Sequence, residues 1–239
     1  MDNVLEVKGL CKKYGDFELK KLTFDIGTGE IVGFIGENGA GKTTAIKSIL
    51  RINLPDEGEI KVFGMDIAEN EKKIKDGLGI VFDDSFLSDM LTVEEINTIL
   101  KNIYQDWDEI YFFELIKRFQ LPLKKRFKKL SSGMKMKLKI ATALAHHPKL
   151  LILDEPTSGL DPVIRNEILH IFKDYIKTGE ASILFSTHII SDLENIANRI
   201  IFIHKGSLVF IKDIKAFSEE SIEQVMLSYV KGDEIKWER

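Results

Sequence analysis

The sequence predicts an α/β protein built on a largely parallel sheet, and three observations carry that expectation. Residues 30–35 form a continuous apolar run that ends in a glycine-rich loop, followed by a helical pattern over 42–52. Two further apolar runs of strand length, 150–153 and 183–186, are separated by a helical pattern over 162–177. Strands that alternate with helices imply parallel pairing through crossover helices. Ahead of these, 4–10 and 17–26 alternate apolar and polar residues as half-buried strands do, which adds an antiparallel layer at the start.

The remaining elements follow in order. Residues 59–63 read as a strand before Gly64, and 78–82 as another. Over 92–103, 109–119 and 131–147 the apolar residues recur at helical spacing, so the middle of the chain reads as a helical lobe inserted in the fold. Pro162 suits a first helical turn, where its missing N–H has no partner to lose. Residues 191–198 look helical, 199–211 read as a hairpin turning at Lys205-Gly206, and 212–239 are weakly patterned. With no internal repeat and no long linker, 1–239 reads as a single domain.

Composition narrows the function classes. With 34 Lys+Arg against 38 Asp+Glu, a net charge of −4 and 44% hydrophobic residues, the chain has an ordinary globular composition rather than a disordered one. No apolar run approaches the roughly 18 residues needed to cross a bilayer. The first ten residues carry Asp2 and Glu6 and no long apolar core, so a cytoplasmic chain without a secretory signal is expected. Cys11, the single cysteine, excludes an internal disulfide or a thiolate metal cluster and reads as a small buried hydrophobe. A pI near 5.8 lacks the basic footprint of a nucleic-acid binder.

Gly36, Glu37, Asn38, Gly39, Ala40, Gly41, Lys42, Thr43 and Thr44 satisfy G-x-x-x-x-G-K-[ST] between a strand and a helix, where the mechanism needs it. Glycines let the backbone curl around a phosphate and aim its N–H groups inward, and the helix dipole points at the same anion. Lys42 is assigned to the β- and γ-phosphates, Thr43 to Mg²⁺ and Thr44 to a further phosphate hydrogen bond. The run 150–153 ends in Asp154 and Glu155, and strand carboxyl ends line the ligand crevice of a parallel sheet. Asp154 suits Mg²⁺, held directly or through water. Glu155 suits the base that polarises an attacking water. Neighbouring side chains on a strand face opposite ways, which would separate the two roles.

Together with Leu130-Ser131-Ser132-Gly133-Met134 at a helix start, the LILDEPTSGLD run at 151–161, and Ser186-Thr187-His188, these elements resemble the nucleotide-binding subunit of an ABC transporter over about residues 4–211. The resemblance implies a P-loop ABC ATPase: a RecA-like parallel sheet core, an N-terminal antiparallel β layer and an inserted helical lobe at roughly 84–147. It places Tyr14 on adenine, Gly36 to Thr44 on the ATP phosphates, Asp154 as the Walker B acid, Glu155 as catalytic base and His188 as the switch histidine at the γ-phosphate. It makes 158–161 a loop that meets a second cassette, with Asp161 also able to cap the helix at Pro162. It also implies that Ser131, Ser132 and Gly133 grip ATP held by another cassette, so that two copies, or two different cassettes, enclose two nucleotides head to tail. ATP and Mg²⁺ are the implied cofactors. Integral membrane permease subunits and a second cassette are the implied partners, at the cytoplasmic face of the membrane, with no nucleic acid. A groove near Asp83 and residues 92–95 would receive a short permease helix. The sequence character is most similar to bacterial exporters of drugs or antimicrobial peptides.

The chain departs from that pattern at three places. Ser132 stands where the family usually has a second signature glycine, Met134 where it usually has Gln, and Asp83 where it has the Gln that reaches Mg²⁺. An Asp there brings charge and a shorter reach, and it is assigned to Mg²⁺ directly or through water. Lys124, Lys125, Arg126, Lys128 and Lys129, with Lys135, Lys137 and Lys139, read as a solvated face, or alternatively as a contact for anionic lipid or an acidic partner loop. His146, His147, His170 and His204 lack a motif and are expected to be structural. Two other readings stay open on the residues: an ABC-type soluble factor in nucleic-acid or translation processes, and a P-loop kinase or GTPase, which would leave Ser131 to Met134 and Asp161 without a purpose.

Overall fold

The computed structural model describes residues 3–82, 87–177, 179–217 and 221–230, so Asp83 lies outside the described residues. Strands β1 (Asn3–Tyr14) and β2 (Phe17–Gly27) form the early hairpin, and β3 (Ile31–Ile35) leads into α1 (Lys42–Ile49). Next come β4 (Glu57–Val62), β5 (Met65–Asp66), α2 (Glu71–Lys75) and β6 (Leu78–Val81). The lobe contributes α3 (Val93–Lys101), α4 (Glu109–Arg118) and α5 (Ser132–Leu144). The chain then returns through β7 (Leu150–Asp154), α6 (Pro162–Ile176), β8 (Ser182–Thr187), α7 (Ile190–Ile196), β9 (Arg199–His204), β10 (Ser207–Asp213) and α8 (Ile222–Val230).

Two sheets result. One has the order β2-β1-β4-β5 and is antiparallel; the other has the order β10-β9-β3-β8-β7-β6 and is parallel except for β10. The apolar runs are continuous because the parallel sheet is covered on both faces. Ile31 and Ile35, Leu151 and Leu153, and Ile183 and Phe185 join one core with the lobe, α6, α7 and α8. Their neighbours Val32 and Phe34, Leu150 and Ile152, and Leu184 face a second core shared with α1 and the antiparallel sheet. The period of two along each strand thus sorts side chains between two cores.

The early hairpin is longer than its alternation suggested: β1 continues to Tyr14 through register shifts after Val7 and Leu10, which break the simple period. Phe63, expected as strand, sits at φ 53 beside Gly64 at φ 73 and makes the turn between β4 and β5. The hairpin at Lys205-Gly206 is as expected, with φ 45 and 76. Two helices were not foreseen. α2 is a single short stretch, and α8, within the weakly patterned tail, buries Ile222 and Val225 against the first core. Thr92 and Glu95, expected to border a partner groove, close a capping box on α3.

The basic residues divide. Those at 124–129 are exposed around the buried anchor Phe127, whereas Lys137 pairs with Glu167 at 2.7 Å, Lys139 donates to the Phe82 carbonyl at 3.0 Å, and Lys135 lies over the Phe127 ring. Two histidines are structural, as expected. His146 is buried, its Nε2 2.9 Å from the Leu78 carbonyl and its ring stacked on Tyr104, and burial pushes its pKa below the usual histidine range. His147 stacks on Tyr111 and lies 3.0 Å from Asp108. Cys11 is half-buried and free. No helix among the described residues is long and apolar enough to cross a membrane.

Candidate active site

Strand order brings the site together. β3, β8 and β7 are adjacent, and their registers pair Ile35 with Thr187 and Asp154 with Ser186, so all three end at one level. The phosphate loop leaves β3, Glu155 leaves β7 and His188 leaves β8, as the carboxyl-end rule for open α/β sheets requires.

Gly41 caps α1 at φ 108, a conformation that favours glycine, and a Cβ there would come within 2.5 Å of the Phe17 ring. The hairpin that carries Tyr14 therefore abuts the loop, and Tyr14 itself is 71% exposed, a ring free to stack on a ligand. A contact that sequence reasoning missed ties the other side: the Gly206 N–H donates to the Ala40 carbonyl at 3.0 Å, so the β9–β10 turn braces the loop.

Lys42 is 95% buried, since only 5% of it is exposed. Its Nζ donates to the Gly36 and Glu37 carbonyls at 2.7 and 3.2 Å and lies 3.2 Å from Glu155 Oε1. Buried charge has to be paired, and this ammonium sits among acceptors. Thr43 Oγ1 donates to Asp154 Oδ2 at 2.8 Å and Ser186 Oγ to Oδ1 at 2.6 Å, so both oxygens of the buried carboxylate are engaged. His188 Nδ1 lies 2.8 Å from Glu155 Oε2.

Glu155 is not positioned by strand alternation. It follows the last strand residue and adopts φ 51, a left-handed conformation costly for a side-chain-bearing residue, held as its N–H donates to the Ser186 carbonyl at 3.1 Å. The backbone turn, rather than the pleat, swings its carboxylate towards Lys42 and His188. Asn38, Thr43, Lys47, Phe82, Asp154, Glu155, Ser158 and His188 line a cleft of about 340 Å³. Lys47 and Phe82 were not foreseen as lining residues, and Ser158, read only as part of the loop at 158–161, lines the cleft as well.

Ser131 caps α5, its Oγ accepting the Met134 N–H at 3.3 Å. Ser131 and Ser132 are exposed, Gly133 is buried, and none of the three lines the cleft. Asp161 caps α6, accepting the N–H groups of Val163 and Ile164 at 3.1 Å.

A divalent cation fits the donors present. No cluster of three or more His, Cys, Asp or Glu side chains suited to a metal occurs among the described residues. The Asp154 carboxylate and the Thr43 hydroxyl instead offer a sparse, all-oxygen set of the kind Mg²⁺ takes when phosphates and water complete its shell.

Comparisons with known proteins give the family of the chain. The family described as ABC transporter matches residues 19–158. The ABC transporter ATP-binding protein YtrB of Bacillus subtilis (strain 168) is 34% identical over 221 residues, covering 92% of this chain and 75% of that protein. The bacitracin transport ATP-binding protein BcrA of Bacillus licheniformis is 36% identical over 215 residues, covering 87% and 69%. A solved ATP-binding subunit of an ABC transporter superposes with a TM-score of 0.85 at 28% identity, over 95% of this chain and 99% of that one. The cassette MJ0796, solved as a dimer in a post-hydrolysis state with ADP and Pi, gives a TM-score of 0.78 at 25% identity over 88% and 98%. This chain belongs to the ABC transporter ATP-binding family: it is an ATPase, the nucleotide-binding subunit of an ABC transporter.

Proposed function

We propose that this chain is a single ABC nucleotide-binding domain over 1–239, with its helical lobe at roughly 84–147, that hydrolyses Mg-ATP in a head-to-tail pair of cassettes to drive export through separate membrane subunits. The observation that carries this reading is the meeting of Lys42, Glu155 and His188 at one carboxyl edge of the sheet, while Ser131 to Gly133 stand outside that cleft.

In this reading Tyr14 stacks on adenine, and Gly36, Asn38, Gly39, Ala40 and Gly41 wrap the phosphates with their backbone. Lys42 leaves Glu155 for the β- and γ-phosphates, and Thr44 adds a hydrogen bond. Glu155, released from the ammonium, accepts a proton from the water that attacks the γ-phosphorus, and His188 orients Glu155 and contacts the same phosphoryl group. Thr43 and Asp154 would hold Mg²⁺, with Asp83 as an added ligand, and the ion would neutralise charge on the phosphate oxygens. Ser131, Ser132, Gly133 and Asp161 close over ATP on the other cassette. Charge-assisted hydrogen bonds contribute about 1.5–3 kcal/mol each, so loss of the γ-phosphate contacts on hydrolysis reopens the pair.

One groove supports docking of a partner helix. An apolar groove of about 530 Å³ is lined by Ile52, Leu87, Leu100, Ile103 and Tyr104, with Lys72 and Lys75 at its edge. It supports docking of a permease helix at the cytoplasmic face of the membrane, displaced from Thr92 and Glu95 towards the end of α3. The bacitracin relative supports an antimicrobial peptide or drug as cargo. ATP turnover measured with membrane subunits co-purified from the native host, and separately with RNA or DNA, tests the reading. Stimulation by the membrane subunits is expected; stimulation by nucleic acid alone would favour a soluble factor.

A further inference from the structure

Asp192 is a carboxylate on the first turn of α7 with a side chain only 1% exposed, and nothing in the ATP contacts uses it. Its surroundings come from three segments. Thr157 Oγ1 donates to Asp192 Oδ2 at 2.6 Å, and Arg165 Nε forms an ion pair with Oδ1 at 2.7 Å. Arg165 Nη2 also donates to Ser191 Oγ at 2.8 Å. The Asp192 N–H reaches back to the Ile189 carbonyl, on the residue after His188, at 3.3 Å. Thr157 lies two residues beyond Glu155, within the turn where Glu155 holds its left-handed backbone. The two side chains joined by the 2.8 Å His188–Glu155 contact are therefore carried by separate loops, and these loops are fastened to each other through Asp192.

We propose that Asp192 is a positioning residue for ATP hydrolysis: its buried carboxylate clamps the loop after Glu155 to the helix after His188, with Arg165 holding it from α6. This rests on the proposed roles of Glu155 and His188. A clamp of this kind acts on geometry in the transition state rather than on ATP binding, because the phosphate loop makes none of its contacts. A carboxylate suits the position because one oxygen accepts from a hydroxyl while the other pairs with a guanidinium, whose charge permits burial. An amide cannot do so fully: Asn presents one acceptor oxygen, and its NH₂ meets donors.

The test is steady-state turnover and equilibrium affinity for a fluorescent ATP analogue in Asp192→Asn, Thr157→Val, Arg165→Gln and the Asp192→Asn/Arg165→Gln pair, each checked for folding by its thermal transition. Misplacement of reacting groups costs about 10- to 100-fold, so kcat is expected to fall by that factor in Asp192→Asn, with analogue affinity within about twofold of the parent. Thr157→Val, which removes only the hydroxyl, is expected to show a smaller fall of the same kind and keeps the test decisive if Asp192→Asn does not fold. The double variant is expected to be no slower than Asp192→Asn alone, since both changes release one clamp. Unchanged kcat in folded variants, affinity lost in parallel with kcat, or additive losses in the double variant would overturn the proposal. Glu155→Gln run alongside separates the two levels. If it abolishes turnover while the clamp variants do not, only the clamp fails; if it turns over normally, the reading of Glu155 fails and the clamp with it.

Discussion

The cleft at the ends of β3, β7 and β8 and the tip of α5, both assigned to ATP phosphates in the proposed function, are finished to different degrees. In the cleft the three central charged groups have close partners from the same chain: Lys42 with Gly36, Glu37 and Glu155, Asp154 with Thr43 and Ser186, Glu155 with His188. At the tip, Ser131 caps its own helix, Ser131 and Ser132 face outward, and no basic side chain from a neighbouring element is bonded to either hydroxyl among the described residues. Strand registry thus gathers the cleft from one chain, whereas among the described residues the α5 tip meets no such set of charged partners within it, as the proposed pairing of cassettes requires.

The largest expected effect breaks the cleft. Glu155→Gln should lower turnover by about 10²- to 10⁴-fold while ATP still binds, because the base is lost and the phosphate contacts remain; single-turnover hydrolysis beside equilibrium ATP binding measures both. Lys42→Ala should weaken ATP binding by about 100-fold, the scale of losing one or two charge-assisted hydrogen bonds, and calorimetric titration reads it directly. If Lys42→Ala bound ATP normally, the difference between the two regions would vanish, since neither would then hold phosphate through the groups argued above.

Smaller effects sharpen the comparison by probing the scaffold under both regions. Acid should destabilise the fold through His146. Burial keeps its folded pKa below the usual value, so the unfolded chain takes up a proton that the folded chain refuses. Stability should be level above the unfolded pKa of about 6.5 and decline below it, by at most about 1.4 kcal/mol per pH unit, until the folded pKa is reached. Urea unfolding at pH 7.5 and 5.5 tests this, and His146→Gln should flatten that part of the slope. Asp161→Ala removes the acceptor for two N–H groups at the start of α6 and should cost about 1 kcal/mol in the same assay.

Much of this was legible in the chain, for physical reasons. The phosphate loop was readable because its left-handed positions, Gly39 and Gly41, favour glycine and a lysine followed by a serine or threonine hydroxyl completes it. The buried strands were readable because a sheet covered on both faces demands unbroken apolar runs. What escaped depends on distant contacts: the left-handed backbone of Glu155 is held by β8, the bracing of Ala40 comes from Gly206, and Asp192 becomes notable only once Thr157 and Arg165 fold against it. α8 was hidden because its apolar positions match aromatic residues of β9 and β10, such as Phe202 and Phe210 around Tyr229, rather than a strong pattern of its own.

The central claim is that one chain's cleft is closed by another chain's α5 tip, and the solution mass of Glu155→Gln in saturating Mg-ATP, with and without Ser131→Arg, tests it most directly. Light scattering should give twice the mass of one chain for Glu155→Gln and a return to a single chain when Ser131→Arg is added, with each single chain still binding ATP, more weakly than the pair does. A Glu155→Gln chain that stays single with ATP bound, or a pair that survives Ser131→Arg, would contradict it.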